Sequence, residues 1–146
     1  GVLLHCRGRG FNLIDGHPNE LKSNKRPLHT IIPAMISQNN KLVGSFGVMG
    51  GQYQAAGHAY VLSQMIDFGL SPQDALNYPR LFPNNGNLDC ESAFDKEIID
   101  ELNARGHKVN YPSPLIGGGQ IILIDDDQEI LIGASDWRKD GLAIGY

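Results

Sequence analysis

The residues in this chain best suited to chemistry are two adjacent glycines. Gly47-Val48-Met49-Gly50-Gly51 lies between an apolar, β-branched run and a helical pattern, and reads as a strand-to-helix turn. Paired glycines let a backbone turn tightly and approach a bound group closely. The N–H groups at the start of the following helix have no partner within it, and the helix dipole adds positive potential there. Amides placed in this way suit an oxyanion hole, which stabilises charge developing on an attacked carbonyl. The same glycines also fit an ordinary tight turn that holds no ligand.

Other reactive residue types are scattered. His5, His17, His29, His58 and His107 form no HxxxH or HExxH pattern, so neither a metal nor a cofactor is expected. His29-Thr30 opens an apolar run, where a polar pair can face a cleft. Arg7-Gly8-Arg9-Gly10 reads either as an anion-binding loop or as a solvated one. Asp136, Arg138 and Asp140 form either a structural ion pair or a brace for a loop near a site. No GxSxG elbow and no glycine-rich loop ending in GK[ST] occurs, so neither a hydrolase serine nor a P-loop is supported. Asp125-Asp126-Asp127 lacks the spacing of a calcium loop and reads as a turn.

The elements that must position these groups follow from periodicity. Val2-Leu3-Leu4 reads as a short strand, and Asp15 to Pro27 as an irregular loop. Thr30 to Ile36 is a strand whose Pro33 argues for an edge position. Asn39-Asn40 turns the chain into a returning strand, Lys41 to Phe46, which feeds the glycine turn. A helix is expected from Gln52 to Phe68, stopped by Gly69. Ser71, Pro72 and Asp74 mark the start of a second helix, which must end before Pro79. Leu81 to Asp89 reads as a loop. A third helix is expected with Ser92 as cap, a buried stripe of Phe94, Ile98, Ile99 and Leu102, and Gly106 as stop. Val109 to Tyr111 reads as a short strand. Gln120 to Ile124 is an uninterrupted apolar strand, expected to be buried on both faces, and Glu129 to Ile132 returns from it as a second hairpin. Two hairpins with three helices between them indicate an α+β fold, an antiparallel sheet with helices grouped on one face.

Composition narrows the function classes. The chain has 146 residues, enough for one domain over 1–146 with a sizeable core. A net charge of −4 with no basic stripe argues against nucleic acid as a partner. No apolar run approaches the roughly 20 residues that span a bilayer, and no leader pattern is visible at the first residues. Cys6 and Cys90 form no CxxC pattern. Read as two free thiols they suit a reducing compartment, which favours the cytoplasm. The opening Gly1-Val2-Leu3-Leu4, apolar and without methionine, looks like the middle of a protein.

Read together, the segments resemble the small subunit of the γ-glutamyltransferases. The resemblance is carried by Gly1-Val2-Leu3-Leu4 with Phe11, Gly16-His17-Pro18-Asn19, Lys25-Arg26-Pro27 with Pro33, and Gly50-Gly51. It continues through Asp67-Phe68-Gly69-Leu70, Ala75 with Pro79-Arg80, Gly133-Ala134-Ser135-Asp136 with Arg138, and Gly145-Tyr146. It covers essentially the whole chain. His29-Thr30-Ile31-Ile32-Pro33 with Phe46-Gly47-Val48-Met49-Gly50-Gly51 looks like the transferase-like and acylase-like branch.

That resemblance implies part of an N-terminal-nucleophile hydrolase with an αββα sandwich shared between a large and a small subunit. In such enzymes a proenzyme cleaves itself, and the new N-terminal threonine attacks a γ-glutamyl amide, its α-amine acting as base. The acyl group then passes to water or to an amine. Gly50 and Gly51 match the family's oxyanion glycines. His29-Thr30 occupies the place of a serine pair that contacts the substrate α-carboxylate; Thr30 keeps the hydroxyl and His29 departs from the pattern. Arg7 stands where the family has a polar amide contact. Gly10 stands where it has an aspartate that holds the substrate α-amine, which weakens the case for γ-glutamyl groups, and glutathione in particular, as donors. Thr30 is the sole threonine and is internal, so the residues given lack the nucleophile. The expected partners are a large-subunit segment or a second copy of the chain, together with a small acyl amide substrate. The family also allows a periplasmic or secreted location. The rival reading, from a different class, is a non-catalytic homologue that keeps the fold as a binding or oligomerisation module.

Overall fold

The computed structural model describes all residues, Gly1–Tyr146. The chain divides into two compact units, Gly1–Ile31 and Ile32–Tyr146.

The first unit contains no strand. Val2-Leu3-Leu4, expected as one, pairs with nothing, and Leu3 is fully exposed. A strand exists by its ladder, and three apolar residues without a neighbour cannot make one. Arg7–Gly10 forms one turn of 3-10 helix. The polar stretch that follows is irregular, as expected, and is held by local bonds. Asn12 and Glu20 form an isolated bridge. The Glu20 carboxylate accepts from Gly16 N at 2.8 Å and pairs with Lys22 at 2.8 Å.

The second unit is built on a four-stranded antiparallel sheet in the order β1 (Ala34–Gln38), β2 (Lys41–Met49), β6 (Gly118–Asp125), β7 (Ile130–Ser135). Strand β1 (Ala34–Gln38) begins directly after Pro33 and lies at the sheet edge, where a missing donor costs no rung. Asn39 and Asn40 both have positive φ, 52° and 62°. Such a turn matches the twist of the strands it joins, and it sends the chain into β2 (Lys41–Met49). Strand β2 pairs with β6 (Gly118–Asp125), and β6 with β7 (Ile130–Ser135), so the two hairpins share one sheet.

Helix α1 (Tyr53–Ile66) and helix α2 (Pro72–Asn77) cover one face of this sheet. Phe46, Val48, Ile121 and Ala134 point into that core and meet Val61, Ala75 and Leu76. Helix α2 starts as its sequence dictates: Ser71 Oγ accepts from Asp74 N at 3.1 Å, and Pro72 occupies the first turn. The opposite face of the sheet is open. Ile121 is 2% exposed while its neighbour Ile122 is 51% exposed, so β6 is buried on one face, not two. Met35 and Leu131 are exposed on the same open side, since Met35 and Ile122 both pair with Ser45 and Leu131 lies two residues from the partner of Ile122.

Residues 81–89 are a hairpin where the sequence reading placed a loop. Strands β3 (Leu81–Asn84) and β4 (Asn87–Cys90) flank Asn85-Gly86, whose φ values are 49° and 81°. Asn-Gly is a strong hairpin signal; Pro83 concealed it, yet β3 is an edge strand and tolerates proline. Helix α3 (Lys96–Ala104) starts with Asp95 at the cap position, later than the expected Ser92. Ile99 carries its burial, whereas Ile98 is 40% exposed and leaves the predicted stripe. Strand β5 (Val109–Asn110) runs parallel to β4, and Leu88, Cys90 and Ile99 form a second small core.

Candidate active site

The glycine turn is where the sequence places it. Strand β2 ends at Met49, Gly50 and Gly51 follow with φ of +133° and +60°, and α1 begins two residues later. The carbonyls of Gly50 and Gly51 accept the first bonds of that helix, from Tyr53 N at 3.1 Å and Gln54 N at 3.2 Å. Their own N–H groups donate to no group within Ile32–Tyr146. Gly50 adopts a backbone conformation essentially reserved for glycine. The outcome is a pair of exposed, unpartnered amides at the positive end of a fourteen-residue helix.

A cleft of about 480 Å³ opens beside Gly50. Phe82, Leu115 and Pro114 give it an apolar wall, and Asn84, Asp89 and Lys139 contribute polar groups. Asp89 is ionised and braced: Asn110 Nδ2 donates to Oδ1 at 2.7 Å and Asn84 Nδ2 to Oδ2 at 2.8 Å. Those two amides hold its carboxyl below the usual range. Tyr53 forms the inner wall. Its ring is buried edge-on to Phe82, and its hydroxyl has no hydrogen-bond partner. Burial pushes that phenol up to about 12, with Arg80 opposing.

Of the remaining candidates, Arg7 and Thr30 meet within the first unit: Arg7 Nε donates to Thr30 Oγ1 at 3.2 Å. This leaves the terminal nitrogens of the guanidinium fork available. His29 is exposed and precedes the sheet; neither His29 nor Thr30 belongs to β1. Residues 1–31 carry five cations (Arg7, Arg9, Lys22, Lys25, Arg26) against two carboxylates (Asp15, Glu20). The first unit is therefore cationic as a whole, which favours an anionic ligand over a cationic one.

Sequence reasoning paired Asp136 with Arg138 and missed their main partners. Arg80 and Asp136, neither of them exposed, form an ion pair of 2.6 Å. Arg138 Nε donates to Glu91 Oε1 at 2.8 Å, and Arg138 Nη1 reaches Asp136 Oδ1 at 3.3 Å. Burial works against the charge on Arg138, but its bonds to Glu91 and the charges of Glu91 and Asp136 outweigh that and raise its pKa. The only local signal was Pro79-Arg80 after a helix; nothing in the sequence ties it to a carboxylate 56 residues away.

Comparison with known proteins gives this geometry its class. The fold matches the gamma-glutamyltranspeptidase of Pseudomonas nitroreducens with a TM-score of 0.82 at 20% identity, covering 100% of this chain and 82% of that one. It is an α+β fold of the N-terminal-nucleophile hydrolases, represented here by the four-stranded sheet with helices on one side of it and by the smaller β3-β4-β5 sheet. The chain belongs to the gamma-glutamyltranspeptidase family, whose model matches residues 1–146. It is 33% identical to the glutathione hydrolase-like YwrD proenzyme of Bacillus subtilis, over 99% of this chain and 29% of that relative. The chain thus spans less than a third of the length of that relative. The cephalosporin acylase of Bacillus halodurans is 40% identical with a TM-score of 0.80, over 96% of this chain and 27% of the other.

Proposed function

We propose that this chain supplies the oxyanion amides and part of the acyl-recognition surface of an amidohydrolase or acyltransferase acting on γ-glutamyl or related acyl amides. The observation that carries this reading is the Gly50–Gly51 turn: two amides without partners at a helix N-terminus, beside a cleft. Amides held in advance toward a carbonyl stabilise the oxyanion without reorganising during the reaction. Arg7 with Thr30 offers a carboxylate-binding pair, and His29 adjoins it. In this reading Thr30, which is internal and accepts from Arg7, is a binding residue, and the attacking group is one supplied from outside residues 1–146. A layer from the same source, or from a second copy, would cover the open sheet face of Met35, Ile122 and Leu131.

The test uses the full-length protein, a chromogenic γ-glutamyl anilide and an acyl anilide lacking the α-amino group. Turnover of either is expected. Gly51→Val should slow acylation by about two orders of magnitude, because a β-branched residue disfavours the φ of +60° and displaces one donor. Residues 1–146 alone should be inactive. Equal rates for Gly51→Val, or turnover by residues 1–146 that depends on Thr30, would overturn the reading.

A further inference from the structure

We propose that Arg80 and Glu91 are positioning residues for the Gly50–Gly51 turn, acting through the backbone of residues 116–119. The proposal rests on the acyl-transfer reading for its consequence on rate, and on geometry alone for its structural content. Arg80 and Glu91 face each other at the base of the β3–β4 hairpin, one residue before β3 and one after β4. Glu91 N donates to Arg80 O at 2.9 Å, and Arg80 N donates to Glu91 Oε2 at 3.0 Å. Both are buried, so their side chains are fixed.

From this base the pair reaches the segment that underlies the glycine turn. Ile116 N donates to Glu91 Oε1 at 3.0 Å, and Ile116 O accepts from Arg80 Nη1 at 2.9 Å. Asp136, held by Arg80, accepts from Gly119 N at 2.9 Å and donates its own N–H to Gly119 O at 3.0 Å. The peptides at both ends of the segment are therefore pinned. Between them lies Gly117, φ +63°, with no side chain to separate it from the turn. A Cβ on Gly117 would lie 2.6 Å from Met49 O, and a Cβ on Gly50 would lie 3.1 Å from Gly117 Cα. Met49 pairs with Gly118 in the last rung between β2 and β6. Any rotation of the Ile116 or Gly119 peptide thus presses on the residues that aim the two amides.

Neither Arg80 nor Glu91 donates to the reacting carbonyl in this scheme, so their effect belongs in kcat. Oxyanion donors bind the transition state better than the substrate, and a small misplacement lowers kcat while leaving KM nearly unchanged. The experiment compares full-length wild-type protein, Glu91→Gln and Gly117→Ala, each labelled with ¹⁵N-glycine. Expected are shifted or broadened Gly50 and Gly51 amide resonances in both variants, with Gly86 and Gly106 unmoved. With an acyl anilide, kcat should fall about 10- to 100-fold, with KM within about twofold. A Glu91→Gln protein that is less stable but keeps its Gly50 and Gly51 resonances overturns the proposal, because the pair would then be a staple only. Gly117→Ala perturbs the segment without touching the ion pairs and decides the matter if Glu91→Gln does not fold: unmoved Gly50 and Gly51 resonances overturn the relay. Wild-type protein that turns over no acyl anilide counts against the acyl-transfer reading, while the resonances still judge the positioning.

Discussion

Replacing Tyr53 with phenylalanine should stabilise the protein at neutral pH, the reverse of the usual result for trimming a buried residue. Tyr53 is 3% exposed, and its hydroxyl has no hydrogen-bond partner. A buried donor left unpaired costs about 1–3 kcal/mol of desolvation. The ring contributes separately and survives the change: it meets Phe82 edge-on, centroids 5.5 Å apart at 84°. We therefore expect Tyr53→Phe to gain about 1 kcal/mol. A second signature appears at high pH. Burial raises the phenol from 10.0 to about 12, so the folded protein favours the neutral form. That contribution is intact below pH 10 and is lost as pH rises from 10 toward 12. The rise corresponds to at most about 3 kcal/mol. The phenylalanine variant lacks this term, so its advantage should widen between pH 10 and 12. Tyr60, whose pKa burial also raises, is present in both proteins and cancels. Urea unfolding of both proteins at pH 7, 10 and 11 measures the difference. A loss of 1 kcal/mol or more at pH 7 would mean that the hydroxyl is partnered in the native protein, and the argument would fail.

Two further outcomes follow from the same packing. Gly57→Ala should destabilise by about 1–3 kcal/mol, because the new Cβ would lie 2.6 Å from Tyr53 Cε1 and 2.7 Å from Val48 Cγ1; a raised Tm, the ordinary result of this exchange in a helix interior, would show that α1 can lift off β2. Asp89→Asn should destabilise at pH 7, since Asn110 and Asn84 both donate to the carboxylate. Their bonds lower its pKa below 3.8, so this stability is present above that value and is lost as pH falls through the folded value. The gap between the two proteins should therefore narrow as the pH is taken down below 3.8, and a gap that stays constant on acidification refutes the assignment.

What was legible in the sequence was what local chemistry decides. Ser71-Pro72 with Asp74, the Asn39-Asn40 turn and Gly69, with φ +68°, each satisfy a backbone need within a few residues, and the structure keeps all three. The Gly50-Gly51 turn was legible for the same reason. Elements that depend on a partner were not. Val2-Leu3-Leu4 has strand-forming residues but no neighbouring strand. Gln120 to Ile124 is apolar throughout, yet periodicity cannot say whether its second face is covered within these residues, and here Ile122 is open. Gly57 and Gly117 went unremarked because what requires them is a close approach of α1 to β2 and of residue 117 to Met49, neither of which leaves a trace along the chain. Arg80 and Glu91 were missed for the same cause: their partners lie in distant segments.

The four buried charges also depart from the usual cost of a buried ion pair. Replacing such a pair by apolar residues of similar volume is often neutral or stabilising, since desolvation offsets the Coulomb gain. That comparison assumes the charges satisfy only one another. Here they also serve the backbone. Glu91 accepts from the N–H groups of Arg80 and Ile116, and Asp136 from that of Gly119. Arg80 donates to Ile116 O, and Arg138 to Leu76 O at 2.7 Å and Tyr78 O at 3.0 Å, at and just beyond the C-terminal end of α2. A cation there also complements the negative end of the helix. An apolar quartet would leave these N–H and C=O groups without their partners, at about 1–3 kcal/mol for each of the buried ones, at Arg80, Ile116 and Gly119. Any apolar replacement must therefore re-house several peptide groups at once, which a side chain without donors or acceptors cannot do. The ion network stays because the end of α2 with residues 78–80, and residues 116–117 with the start of β6, need both donors and acceptors. The second of these stretches is what sets Gly117 against the glycine turn.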